Sequence, residues 1–258
     1  MKMQLIQRAI IDFTDDLKKV AAKTGTPLQA KFVANNKKTL WRYQTLYTKE
    51  PATITWLQGL DEGDVLWDVG ANIGLYSLFA ALVRGARVVA FEPGAANYWI
   101  MNENIRVNNL QDLVQALCVA LSDKTTFDAL HMHSTDAGQA LNQTKQAVDD
   151  HGRAFKAQFR QAIFLVKADD MVERFGIAPP TAIKVDVDGA ELDVLAGASN
   201  VMASPGLKKV SLELNSHDEK TVRDATAIMT QHGFSLIGSH SSPLAGGTEI
   251  QNFHFMRS

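Results

Sequence analysis

Apolar positions follow two rhythms along the chain, and the change between them falls near residue 60. In the first stretch Ile6, Ile10, Phe13, Leu17 and Val20 recur at intervals of three and four, which places them on one stripe of a helix. That predicts an amphipathic helix lying against the rest of the molecule. A dimer seam and a membrane-surface helix are the sharper alternatives, and the acidic polar side argues against a membrane. Thr24-Gly25-Thr26-Pro27 punctuates the chain, and residues 28–60 form a mixed polar and aromatic lead-in.

From residue 61 short apolar runs alternate with helical periods. Val65 to Val69, Arg87 to Phe91 and Leu113 to Leu121 read as strands, with helices at Leu75 to Arg84 and Ala95 to Asn108. Ala162 to Val166, Ala182 to Val187 and Lys209 to Leu214 continue the strands. Helices are expected at about Asp170 to Phe175, Ala190 to Ala198 and Glu219 to His232. Phe234 to Ile237 and Asn252 to Met256 close the pattern through a turn at Gly246-Gly247. Continuously apolar strands alternating with helices predict a mostly parallel sheet covered on both faces. The expected organisation is a helical extension over residues 1–60 and one α/β domain over residues 61–258. The polar stretch Asp136 to Arg160 interrupts it as an insertion, with Phe155 and Phe159 marking a helical face. A lid over a site and a surface excursion both fit that insertion.

Composition narrows the class. Of 258 residues, 46% are hydrophobic and 21% charged, which excludes a disordered or fibrous chain. The 26 basic residues nearly balance the 28 acidic ones, so no bulk charge invites nucleic acid or anionic lipid. No window carries the roughly 20 apolar residues of a membrane span. Asp12, Asp15 and Asp16 interrupt any secretory apolar region. Cys118 stands alone, which precludes an internal disulfide and suits a reducing cytoplasm. Its expected role is a small buried apolar residue in the third strand. These readings describe a cytoplasmic protein with a small-molecule partner, no nucleic acid and no membrane, and leave open a homodimer through the N-terminal helix.

The segment Leu66 to Gly74 carries the most chemistry. An apolar strand enters a loop with Gly70 and Gly74, and a helix opens directly after it. Such a loop lets backbone approach a ligand, and the helix start offers free N–H groups. Asn72 stands where a dinucleotide fingerprint has its middle glycine. Asp68 before the loop opposes a pyrophosphate and favours a cationic group. Glu92 ends the second strand, where a doubly wound fold places the carboxylate that accepts ribose hydroxyls. Together they point to a nucleoside with a positive appendage. A nicotinamide-dependent oxidoreductase on a Rossmann fold is the rival reading, against which Asn72 speaks.

Asp68-Val69-Gly70-Ala71-Asn72-Ile73-Gly74, Phe91-Glu92-Pro93, Ala120-Leu121-Ser122-Asp123 and Ile183 to Glu191 resemble, in that order, the FkbM family of S-adenosylmethionine-dependent methyltransferases. Leu195 to Ala198 and Leu212 to Leu214 extend the likeness, which covers residues 48–258 or so and leaves the N-terminal helix outside. The resemblance implies a class I methyltransferase fold, with a seven-stranded, mostly parallel sheet and an antiparallel last strand. It implies O-methylation of a hydroxyl on a natural product or sugar. Asp188, where the family more often has Glu, and Ala168 to Met171 depart from its pattern. A non-catalytic S-adenosylmethionine-binding protein is the other alternative.

On this reading Asp68 faces the methionine ammonium, while Gly70, Asn72 and Gly74 line the loop and Glu92 holds the ribose. By resemblance, Ser122 and Asp123 sit near the adenine; a simple turn is the bland alternative. Asp186 and Asp188 end the strand at Val187, where ligands collect in an open α/β sheet. Glu191, Glu213 and His217 would complete an acidic rim. Three roles compete there: a divalent cation, which no dedicated ligand spacing favours; Asp186 or His217 as general base; and helix capping by Asp188 and Glu191. His131 and His133 share a face, in an acceptor pocket or in solvent.

Overall fold

The computed structural model describes residues 9–12, 30–140, 142–144, 156–241 and 250–258. The first described residues correct the expected helix. Ala9–Asp12 (β1) is a strand, paired antiparallel with Lys31–Ala34 (β2). Ile10 lies exposed in it; Ile6, Phe13, Leu17 and Val20 fall outside the described residues. The adjacent β-branched Ile10 and Ile11 suit an extended backbone, and pairing with β2 satisfies it.

Helix α1 (Lys37–Gln44) starts on a capping box between Asn36 and Thr39, and α2 (Pro51–Gln58) has proline in its first turn. Phe32, Tyr43, Leu57 and Leu60 enter the same core as Leu66, Val88 and Ala90. Residues 30–60 thus share the core of the main sheet. Asn104 fixes them in place: its Oδ1 accepts from Val33 N at 2.7 Å while its Nδ2 donates to Ile73 O at 2.8 Å. One buried amide therefore ties β2 to the glycine loop.

The alternation then runs β3 (Val65–Val69), α3 (Leu75–Arg84), β4 (Arg87–Phe91), α4 (Ala95–Val107) and β5 (Val114–Leu117). A side arm follows, of β6 (Ala120–Leu121), β7 (Thr126–Met132) and β8 (Phe159–Val166). The second half holds α5 (Ala168–Glu173), β9 (Ala182–Val185), α6 (Glu191–Ala196), α7 (Ser199–Ala203), β10 (Lys209–Asn215), α8 (Glu219–Gln231), β11 (Phe234–Ser241) and β12 (Ile250–Arg257). The main sheet has the order β11-β12-β10-β9-β3-β4-β5. β12 is antiparallel to both neighbours, and the pairs among β5, β4, β3, β9 and β10 are parallel. This is the seven-stranded arrangement that the resemblance implies. Alternate strand residues feed two cores. Leu66, Val88 and Ala182 point to one face, and Trp67, Val69, Phe91 and Val185 to the other.

Three expectations are corrected here. The run Leu113 to Leu121 breaks at Cys118-Val119, and Ala120–Leu121 leaves the main sheet to pair with β8. Cys118 sits at that break, exposed, with Sγ 3.7 Å from Pro93 O. Phe159 opens a strand rather than a helix, because β8 pairs along its length with β7; Phe155 and the Gly246-Gly247 turn lie outside the described residues. Among the described residues no helix is long and apolar enough to cross a membrane.

The strand order reverses between β3 and β9, since the chain winds from β3 outward to β5 before returning to β9. A crevice beyond the carboxyl ends of these two strands is where an open α/β sheet takes ligands.

Candidate active site

Gly70 leaves β3 at φ +83°, and a Cβ there would sit 1.8 Å from the backbone oxygen of Asp186. Asp186 N in turn donates to Val69 O at 3.0 Å. Only glycine lets the loop and the end of β9 touch in this way. Asn72 also adopts a left-handed conformation, φ +52°, which asparagine tolerates. Its N–H donates to Glu92 Oε2 at 2.9 Å and its Nδ2 to Gln139 O at 2.7 Å. The residue that departs from a dinucleotide fingerprint thus joins the acid below the loop to the segment above it. Gly74 opens α3 at φ +81°, where a Cβ would meet Met101. It serves helix packing and does not line the cleft.

Glu92 ends β4, buried, with Oε1 accepting from Gly94 N at 2.7 Å and from Asn97 Nδ2 at 3.4 Å. Burial pushes its carboxyl up to about 7, against the pull of the Gly94 and Asn72 N–H groups. A cleft of about 120 Å³ opens beside it. Gly70, Asn72, Glu92, Val119, Ala120 and Leu121 line it together with Arg42, Lys49, Asp186, Asp188 and Glu213, and the Arg42 charge is felt at Glu92. Gln139, Ala140, Asn142 and Thr144, from the expected insertion, complete the lining.

Besides Gly74, four of the expected site residues lie off the cleft wall. Asp68 is buried beneath the loop, accepting from Ser77 Oγ at 2.5 Å. Burial raises its carboxyl, and the Lys184 ammonium opposes the rise. Ser122 is buried where a Gly197 side chain would strike its carbonyl, and bonds the exposed Asp123 at 3.1 Å. Because β6 turns out of the main sheet, the chain meets the cleft at Val119 to Leu121 instead. His217 is exposed on the turn after β10, its N–H bonded to Asn215 Oδ1 at 3.0 Å. It too is absent from the cleft wall. Glu191 is buried, raised to about 7 by that burial, and accepts from Gly189 N at 3.0 Å at the start of α6. The N-cap of α6 is Ala190, with no side chain capping it, so Glu191 is the helix's first residue and closes back onto the turn before it.

Asp186 is on the wall, within a charged cluster that sequence reading missed in large part. Lys184 Nζ donates to its Oδ2 at 2.7 Å and lies 4.9 Å from the centre of the Tyr76 ring. Lys49 pairs with Glu50, which also accepts from Thr53 Oγ1 at 3.2 Å and from the Tyr76 hydroxyl. Burial alone would raise the Asp186 carboxyl, but the Lys184 and Lys49 ammonium groups hold it well below the usual range. Burial, then the charges of Asp186 and Glu50, push the Glu213 carboxyl well above the ordinary carboxylate range. The sequence signal was a lysine inside an otherwise apolar strand, Ile183-Lys184-Val185. Carboxylate oxygens of Glu50, Asp186 and Glu213 lie within 4.8 Å of one another, close enough to ligate one cation. Lys49 and Lys184 already supply the opposing charge, so a cation would displace an ammonium.

The residues fit a nucleoside carrying a charged tail. Each Glu92 oxygen keeps acceptor capacity after its N–H partners, Val119 and Leu121 give an apolar wall, and side chains of both charge signs line the same cleft. The sequence model of the methyltransferase FkbM domain matches residues 68–236. The chain is 25% identical over 202 residues to hexuronic acid methyltransferase AglP of Haloferax volcanii, covering 78% of this chain and 76% of that one. It is 28% identical over 216 residues to the 31-O-demethyl-FK506 methyltransferase FkbM of Streptomyces tacrolimicus, covering 74% and 80%. Among solved structures, a methyltransferase FkbM of Methylobacillus flagellatus aligns at TM-score 0.54 and 16% identity, over 76% of this chain and 44% of that one. The fold is therefore that of the class I methyltransferases, and the oxidoreductase alternative falls. From residues 68–236, which hold the glycine loop, Glu92 and Asp186, the chain belongs to the FkbM family of S-adenosylmethionine-dependent methyltransferases.

Proposed function

We propose that the enzyme methylates a hydroxyl group of a small molecule, with Asp186 receiving the hydroxyl proton. One observation carries this reading: the Asp186 carboxylate, just past the end of β9 and paired with Lys184, shares a cleft with Glu92. The relatives whose names specify a hexuronic acid and a 31-O-demethyl compound support a small, oxygen-bearing acceptor.

S-adenosylmethionine, when bound, supplies an electrophilic methyl carbon on a sulfonium. Glu92 accepts from the ribose hydroxyls, and Gly70 and Asn72 form the floor at the loop. Asp68 and Gly74 act beneath, setting the start of α3. The Asp186 carboxylate accepts a hydrogen bond from the acceptor hydroxyl and so aims its oxygen at the reacting carbon. A carboxylate of lowered pKa is a weak base, yet it suffices. Methyl transfer would break the C–S bond as the C–O bond forms, leaving a neutral thioether, and the positively charged acceptor oxygen, far more acidic than a carboxylic acid, would pass its proton to Asp186. Lys184 keeps Asp186 ionised and oriented. Glu213, its carboxyl pushed up beside Asp186, keeps a second negative charge from forming there. Gln139, Ala140, Asn142 and Thr144 narrow access of water.

The test is transfer of a labelled methyl group across a panel of hydroxylated sugars, uronic acids and polyketides. Label recovered on an acceptor oxygen, with transfer lost in Asp186→Asn, supports the reading. Label recovered on nitrogen or carbon, or full turnover by Asp186→Asn, overturns it.

A further inference from the structure

We propose that Arg42 anchors the α-carboxylate of the cofactor's amino-acid tail. The proposal rests on the reading of this cleft as the S-adenosylmethionine site. Arg42 lines the main cleft and also a smaller cavity of about 30 Å³ beside it, walled by Asn72, Lys49, Tyr76 and Asp186. Gly70 and Asn72 border both spaces. A ligand with its ribose on Glu92 therefore shares the cleft with Arg42 and Lys49, and the Arg42 charge already reaches Glu92.

That tail carries one ammonium and one carboxylate, so the cleft needs an available cation. Lys49 is committed to Glu50 and Lys184 to Asp186. Arg42 has no ion pair among the described residues; its hydrogen bond runs from Nε to Gly138 O at 2.7 Å. The two Nη groups stay available, in the planar fork that matches a carboxylate.

The hold on Nε is itself braced. Gly138 N donates to Asn97 Oδ1 at 2.7 Å, and Asn36 Nδ2 donates to Ala137 O at 2.8 Å. Gly138 has φ +85°, and a Cβ there would come within 3.2 Å of Thr39 N. This close approach brings its carbonyl to α1. A last-turn arginine often serves only its own helix's carbonyl end. Arg42 instead reaches across to a carbonyl of the segment that covers the cofactor loop. Asn97 also donates to Glu92, so the clamp on Arg42 and the ribose carboxylate share one side chain.

The experiment compares S-adenosylhomocysteine with its decarboxylated analogue by calorimetry, on wild type and on Arg42→Gln and Arg42→Lys. Wild type should prefer the carboxylated ligand by roughly 10- to 100-fold, the range of charge-assisted hydrogen bonds. Arg42→Gln should bind both ligands alike, at the level wild type shows for the analogue. Arg42→Lys should keep part of the preference. A preference intact in Arg42→Gln overturns the proposal and would give Arg42 to the acceptor or to α1 alone. An equal loss for both ligands also overturns it, since Arg42 would then act through the cover segment. If wild type bound neither ligand, the cofactor reading would fail first, a result distinct from either.

Discussion

Replacing Glu92 with glutamine keeps the shape of the side chain and removes its charge. The carboxylate sits buried against Asn72 and Gly94, and its oxygens retain acceptor capacity facing the cleft. A hydrogen bond to a charged group contributes about 1.5–3 kcal/mol, so Glu92→Gln should weaken S-adenosylhomocysteine binding by roughly 10- to 150-fold. A second signature follows from burial. In the free protein the carboxyl titrates at about 7, whereas ribose hydroxyls donating to it favour the ionised form. Binding at pH 6 must therefore expel a proton at a cost of about 1.4 kcal/mol for each pH unit below that value. Affinity should rise about fivefold from pH 6 to pH 7, by about a further twofold above it, and then flatten. Calorimetry in buffers of different ionisation enthalpy reads the released proton directly. The variant should show a flat profile. A flat profile in wild type, or unchanged affinity in Glu92→Gln, would refute the assignment of Glu92 to the ribose.

Asp186→Asn should lower kcat by roughly 100-fold or more, the reach of general-base catalysis, while changing the dissociation constant for S-adenosylhomocysteine far less; equal losses would make Asp186 a binding residue only. Gly70→Ala forces a side chain at φ +83° into the Asp186 carbonyl and should cost at least about 2 kcal/mol of stability in chemical denaturation. Glu191 is raised to about 7, so the folded protein holds a proton that the unfolded chain releases at ordinary carboxylate pH. Its stabilising share is present in acid and lost as pH rises through 7; relative to Glu191→Gln, wild type should lose about 3 kcal/mol between pH 4.5 and pH 7. Turnover should survive a chelator, because Lys49 and Lys184 already balance the acids on which a cation would settle.

What the sequence disclosed was local. β3, its glycine loop and α3 occupy contiguous residues, and α3 runs over Leu75–Arg84 as the pattern predicts. Glu92 and Asp186 line one cleft because strand ends in a doubly wound sheet converge, a placement the sequence pattern already suggested. The Lys49–Glu50 pair reaches the site from the turn just ahead of α2, and no spacing in the sequence announces that approach. Lys184 was readable only as an oddity in an apolar strand; its purpose depends on Asp186, Tyr76 and burial together. Ser122 and Asp123 fell short because two residues, Cys118 and Val119, break the expected third strand and shift the cleft wall toward Val119. Arg42 was hidden because the carbonyl that holds it, Gly138, lies far away in the chain. Ala9–Asp12 misled because four residues of a strand fit inside a longer helical spacing.

The central claim meets its most direct test in a crystal structure of the protein with S-adenosylhomocysteine bound. The account predicts the nucleoside in the cleft between the glycine loop and Val119 to Leu121, with both ribose hydroxyls within hydrogen-bond distance of the Glu92 carboxylate. The sulfur should face the space beside Asp186. A ligand seated elsewhere, or a ribose out of reach of Glu92, would contradict it.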